Sequence, residues 1–113
     1  MTITLVGMEL PAGFPPATPD AGHRFVAPQL SFFCKLPADT YCESIGSFEL
    51  IDSQGTRHSP AVAVSGKGFL PKEDFPGGTA ITVGMVFMVP IEAAPYLLRY
   101  VGDHGREAYF RID

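Results

Sequence analysis

Three histidines, two cysteines and a pair of methionines are the residues here whose types and spacing could do chemistry. Met85 and Met88 flank Phe87 in VGMVFMVP, residues 83–90. Two thioethers so close could hold copper if they faced one way. On an extended strand they do not, because alternation sends Met85, Phe87 and Val89 to one face and Val86 and Met88 to the other. The sequence therefore predicts a buried strand with methionine as irregular core filler. His23, His58 and His104 each fall near a turn or strand end, with no H-x-H or H-E-x-x-H spacing among them. His23 follows a proline-rich stretch with Asp20 three residues earlier, and His104 adjoins Asp103. Loops at one end of a sandwich can converge. The histidines are thus either parts of a composite metal or hydrolytic site or three solvated side chains.

Nucleophilic catalysis needs a serine or cysteine with a base in reach. The segment VSGKG around Ser65 lacks the first glycine of a Gly-x-Ser-x-Gly elbow, and its GKG does not belong to a phosphate loop. Glu73 and Asp74 in PKEDFPGG read as solvated loop carboxylates. No catalytic residue, metal ligand or cofactor is assigned, and the chain is expected not to be an enzyme. Cys34 and Cys42 enclose KLPADTY, a length suited to a loop between neighbouring strands. They are either a candidate disulfide or two ordinary thiols beside a turn. A bridge across so short a loop would stabilise by roughly 2–3 kcal/mol in the chain-entropy model. An exposed bridge would fit a secreted module, because cytosolic thiols stay reduced.

The elements that must position these residues are short. A chain of 113 residues makes one domain, spanning residues 1–113, and its hydrophobic content of 46% is a globular value. Twelve glycines and eleven prolines leave no room for long helices. The net charge is −4, and the eight basic residues are scattered without a run, which argues against a nucleic-acid or anionic-membrane partner. No apolar run is long enough to span a membrane. The opening MTITLVGMEL lacks the positive charge and cleavage site of a signal peptide. The expectation is a cytoplasmic chain or one from which a signal has been removed.

Period-two alternation recurs along the chain. In HRFVAPQLSFFC, Val26, Leu30, Phe32 and Cys34 share one face. Pro28 removes a ladder amide there, which predicts an edge strand or a bulge. In SFELIDSQGTRH, Phe48 and Leu50 oppose Glu49 and Ile51, and residues 52–55 match a type I turn with Asp first and Gly fourth. The long strand through Met85 and a final hairpin about GDHG complete about seven strands. Only PIEAAPY allows a single helical turn. Tyr41, Phe69, Phe75 and Tyr96 fall in or beside loops. They are either a candidate contact surface or lids over the core. An unpaired first or last strand would also offer an edge for a protein partner or self-association.

Four pieces in order, GHRFVAPQLSF, FELIDSQGTRHSP, FPGGTAITVGMVFMVP and APYLLRY, resemble the telokin-like, immunoglobulin-like domains of unknown function in secreted bacterial proteins and lipoproteins. The resemblance covers roughly residues 22–101. It implies an immunoglobulin-like antiparallel β-sandwich and an extracytoplasmic address, and it carries over no catalytic residue. Cys34 stands where the family often has a polar residue, and no lipoprotein signal precedes the domain. The predicted function is a noncatalytic extracytoplasmic binding or structural module of unknown ligand, acting through loop or sheet-edge contacts. A component of a phage or cell-surface assembly is the second reading. A small metal-binding protein or hydrolase using the loop histidines is the third.

Overall fold

Side-chain alternation sorts the chain into two antiparallel sheets. The structure is a computed structural model that describes residues 1–8, 18–65, 75–102 and 104–112, with residues 62–65 and 75 described through their backbone only. The strands are β1 (Thr2–Met8), β2 (His23–Val26), β3 (Pro28–Phe33), β4 (Tyr41–Cys42), β5 (Ser47–Ile51), β6 (Arg57–His58), β7 (Val62–Ser65), β8 (Phe75–Pro76), β9 (Ala80–Pro90), β10 (Tyr96–Val101) and β11 (Glu107–Ile112). One 3-10 turn, Ile91–Ala93, occupies the segment expected to allow a helical turn.

In the first sheet β1 pairs β3, and β3 pairs β9. β2 continues β3 along the same side of β9, since Val26 faces Phe87 and Gln29 faces Gly84 in one unbroken register. β7 pairs β9 from the other side. The second sheet runs β11-β10-β5-β6, and β4 and β8 form a separate two-residue ladder. The fold is an immunoglobulin-like sandwich in the constant-type strand order, with β6 as an extra short edge. The eleven pieces among the described residues exceed the expected seven for simple reasons. One long strand is split into β2 and β3, and several of the others are two-residue bridges.

The proline is at the split, but it is not at an edge. Pro28 is buried between β1 and β9, opposite Met8. Its missing amide interrupts the ladder to β9 for two residues without shifting register. The irregularity falls instead on β1, where the register slips between Leu5 and Gly7. The strand tolerates this because the lost hydrogen bond is local, while Val26, Leu30 and Phe32 keep the inward parity that packing rewards.

Val83, Met85, Phe87 and Val89 are fully buried, and Met88 lies half-buried on the opposite face. They meet Phe48, Leu50, Leu98 and Tyr100 from the second sheet. Phe32 packs edge-on to Tyr100 at 5.0 Å and to Phe48 at 6.2 Å. In antibody domains the corresponding strands carry the inter-sheet disulfide and its tryptophan; here they carry an aromatic trio. The β5–β6 turn closes as expected. The Gly55 N–H donates to the Asp52 carbonyl at 3.0 Å, and Gly55 has φ +84°, a conformation glycine adopts without strain.

Candidate functional site

Register fixes which loops share an end of the sandwich. Val101 faces Ser47 and Phe33 faces Ala80, so residues 34–46, 102, 104–106 and 77–79 cluster together. Within the first of these segments, Cys34 and Cys42 are joined by a disulfide with a Cα separation of 5.8 Å. Both cysteines are buried, so the bridge is not the exposed one that the sequence suggested.

Backbone bonds reinforce the bridge. Cys34 N–H donates to the Thr79 carbonyl, and Gly78 N–H returns a bond to the Cys34 carbonyl. Gly77 N–H donates to the Thr40 carbonyl at 2.8 Å. Gly77 must be glycine for a packing reason: a Cβ there would lie 2.0 Å from the Pro37 carbonyl oxygen. Seven residues between two cysteines would otherwise sample many conformations; here covalent and hydrogen-bonded closure leaves few.

Facing it, the Gly102 N–H donates to the Arg106 carbonyl and the Gly105 N–H to the Gly102 carbonyl. Glu43 reaches across to these residues. Its Oε2 accepts the His104 backbone N–H at 3.1 Å and lies 3.6 Å from His104 Nδ1. Nearby, the Gly46 N–H donates to the buried Tyr100 hydroxyl at 3.0 Å, tying the two strands beneath. Between the two segments lies a cleft of about 570 Å³, whose lining includes Met1, Leu36, Tyr41, Glu43, His104 and Arg106. Tyr41 is 62% exposed on its rim, whereas the Glu43 side chain is 11% exposed beneath.

The cleft therefore offers an aromatic face, aliphatic surface, one carboxylate and one guanidinium. This set can hold a partly apolar, partly charged group. Both cysteines are consumed by the bridge, so neither is a free thiolate.

The four candidate contact aromatics do not share one surface. Tyr41 lines the cleft. The backbone of Phe75 pairs with Cys42 in the β4–β8 ladder. Phe69 lies outside the described residues, as do the GKG segment, Glu73, Asp74 and Asp103. Tyr96 corrects the expectation. It is 2% exposed, and its hydroxyl donates to the Pro90 carbonyl at 2.7 Å. This is the tyrosine corner of sandwich folds, in which an aromatic at the start of a strand folds inward and ties down the preceding corner. The Arg24 guanidinium lies 5.1 Å over its ring.

The histidines have separate partners. His23 Nδ1 bonds the Ala21 carbonyl, His58 Nε2 lies 2.9 Å from Asp52 Oδ2, and His104 adjoins Glu43. Among the described residues no three of His, Cys, Asp or Glu are placed to hold one metal ion. Asp52 is buried and also accepts the N–H groups of Gln54 and Thr56. The His58 hydrogen bond above all, with the two backbone donors, holds its carboxyl below the usual range against the opposing effect of burial.

A second polar cluster lies on the outer face of the β11-β10-β5 sheet. Arg99 bonds Glu49 at 2.8 Å, Glu107, and the Tyr109 hydroxyl at 3.2 Å. The Glu107 bond first, then Glu49, pushes the guanidinium pKa further up.

Glu43, Leu36 and Arg106 escaped sequence reasoning. A lone carboxylate after a cysteine carries no local signal, and its relation to a turn 61 residues later depends on strand order. The described residues contain no helix long and apolar enough to cross a membrane. No protein-family model and no curated protein sequence matches the chain. Among solved structures it is similar to an uncharacterized β-sandwich protein of Clostridium difficile 630, with a TM-score of 0.58 and 13% identity over 98% of this chain and 84% of that one.

Proposed function

We propose that the protein is a noncatalytic binding module of the telokin-like, immunoglobulin-like kind that works outside the cytoplasm. Its cleft receives a segment of a partner protein. The observation that carries this reading is Tyr41, an exposed aromatic held on a disulfide-closed rim above Glu43 and beside Arg106. Rigid aromatic anchors beside a charge give affinity at low entropic cost. The buried bridge favours an oxidising compartment, as does the resemblance to secreted bacterial domains. A place in a cell-surface or phage assembly is the second reading, and the regular outer strand β11 favours it.

A displayed peptide library panned against the oxidised protein tests the cleft. Enriched peptides should bind about tenfold or more weakly to Tyr41→Ala and Arg106→Ala, with Glu92→Gln at the opposite end as an unaffected control. No enrichment, or enriched peptides indifferent to both substitutions, would remove the cleft reading. The compartment is tested separately by acid-quenching intact cells and alkylating free thiols: two blocked cysteines would rule out the extracytoplasmic address.

A further inference from the structure

The described strands end in several edges, and they are not alike. β1 is kinked by a register slip between Leu5 and Gly7. β6 is two residues long. Bulges, short length and charged side chains are the usual devices that keep an edge from pairing with another chain. β11 lacks the first two, with six residues, no proline and an unbroken register against β10 from Tyr96 with Ile112 to Val101 with Glu107, and its two charges, Glu107 and Arg111, are opposite in sign.

Its orientation follows from the turn. The Gly102 N–H to Arg106 carbonyl bond makes that pair hydrogen-bonded. By antiparallel alternation Glu107, Tyr109 and Arg111 then occupy positions not bonded to β10. Their N–H and C=O groups point to the outer edge. The same three side chains are exposed, whereas Ala108 and Phe110 are half-buried against the core.

We propose that β11 is a homodimer interface, in which two copies join edge to edge, antiparallel, about a two-fold axis at Tyr109. This goes beyond the proposed binding role by naming a strand and a partner for the sheet-edge contact that the sequence suggested; it does not depend on the cleft. The sequence E-A-Y-F-R is self-complementary in this one register. Glu107 faces Arg111 of the second copy, Arg111 faces its Glu107, and the two tyrosines face each other. Opposite charges directly across a strand pair stabilise it, and like charges destabilise it. On the inner face each Ala108 meets a Phe110, small against large. Such an interface is isologous and closes, so it yields a dimer and not a filament. The joined sheets would carry one continuous cross-strand row of Glu49, Arg99 and Tyr109 followed by the same three residues in reverse.

The test is sedimentation of the oxidised native protein from micromolar to near-millimolar concentration, together with Glu107→Arg and Arg111→Glu. The native protein should show a concentration-dependent dimer. Each reversal places like charges opposite one another twice and should weaken association about tenfold or more. An equimolar mixture of the two variants should recover it, because each pairing across the junction is then opposite in sign. A native protein that remains monomeric throughout overturns the proposal. So does a dimer indifferent to both reversals, or a mixture no better than its components. Should either variant fail to fold, amide exchange on the native protein decides. The amides of residues 107, 109 and 111 must gain protection with concentration, and their failure to do so overturns the proposal. Loss of dimerisation with peptide binding at Tyr41 intact would leave the cleft reading standing.

Discussion

At the end of the sandwich bearing Tyr41, residues 34–46 are closed by a covalent bridge and by backbone bonds to residues 77–79. At the other end, residues 52–58 and 90–96 also make backbone bonds, Ser53 N–H to the Ala93 carbonyl among them, but no covalent bridge; side chains turned inward add to them, Asp52 toward His58 and Tyr96 toward Pro90. The difference lies in what each device leaves over. Where aspartate and tyrosine supply the cohesion, they are spent in doing so and are buried. Where a disulfide and main-chain bonds supply it, Tyr41, His104 and Arg106 remain exposed. The aspartate and the tyrosine that hold one end are buried in doing so, whereas the aromatic at the bridged end stays on the surface. The proposed binding role belongs to the bridged end, whose cleft is lined by Tyr41, His104 and Arg106.

Breaking the bridge should have the largest effect. Reduction, or Cys34→Ser with Cys42→Ser, is expected to cost about 2–3 kcal/mol of unfolding free energy. It should also speed amide exchange at Gly77 and Gly78, whose acceptors lie within the bridged segment. Exchange at Ser53 and Gly55, at the far end, should stay as it was. If both ends loosen together, the ends are not separately built.

Tyr96→Phe sharpens the comparison from the opposite side. It removes one buried hydroxyl and leaves the Pro90 carbonyl without that donor, for an expected loss of about 0.5–1.5 kcal/mol in chemical denaturation. Peptide binding at the cleft should be unchanged. A loss of binding as large as that of Tyr41→Ala would mean that the two ends are coupled.

The smallest effect is acid-dependent. The Asp52 carboxyl is held below its ordinary value, first by His58. Its folded pKa therefore lies below its unfolded one. Its contribution is whole above the unfolded value of about 3.9 and is lost as pH falls through the lower folded value. Denaturation midpoints measured down to about pH 2 should fall less steeply for Asp52→Asn than for the native chain. Parallel curves would show that this carboxyl does not stiffen the turn.

Much of this was legible one strand at a time. The opposed faces of Met85 and Met88, the inward parity of Leu30 and Phe32, and the glycine of the turn at residue 55 follow from alternation and from φ sterics. The bridge was one of two open readings, because loop length permits closure without requiring it. Tyr96 was read as a candidate contact or a lid over the core because it falls beside a loop, and its burial leaves only the second. Its burial depends on the corner made by Pro90, which only the strand pairing brings near. Pro28 was expected at an edge or a bulge, because a missing amide is most easily tolerated there. The structure puts it between two strands, since its neighbours' burial outweighs one absent bond.

The sequence by itself determined that this chain alternates, turns often and must close as a β-sandwich, because those properties reside in each residue's own stereochemistry and hydrophobicity. The tertiary structure alone decided that Glu43 meets His104, that Tyr41 is left exposed while Tyr96 is buried, and that β11 is an outer strand. Those relations join residues far apart in the chain, and their distances are set by the order of strands across two sheets, which no local pattern encodes.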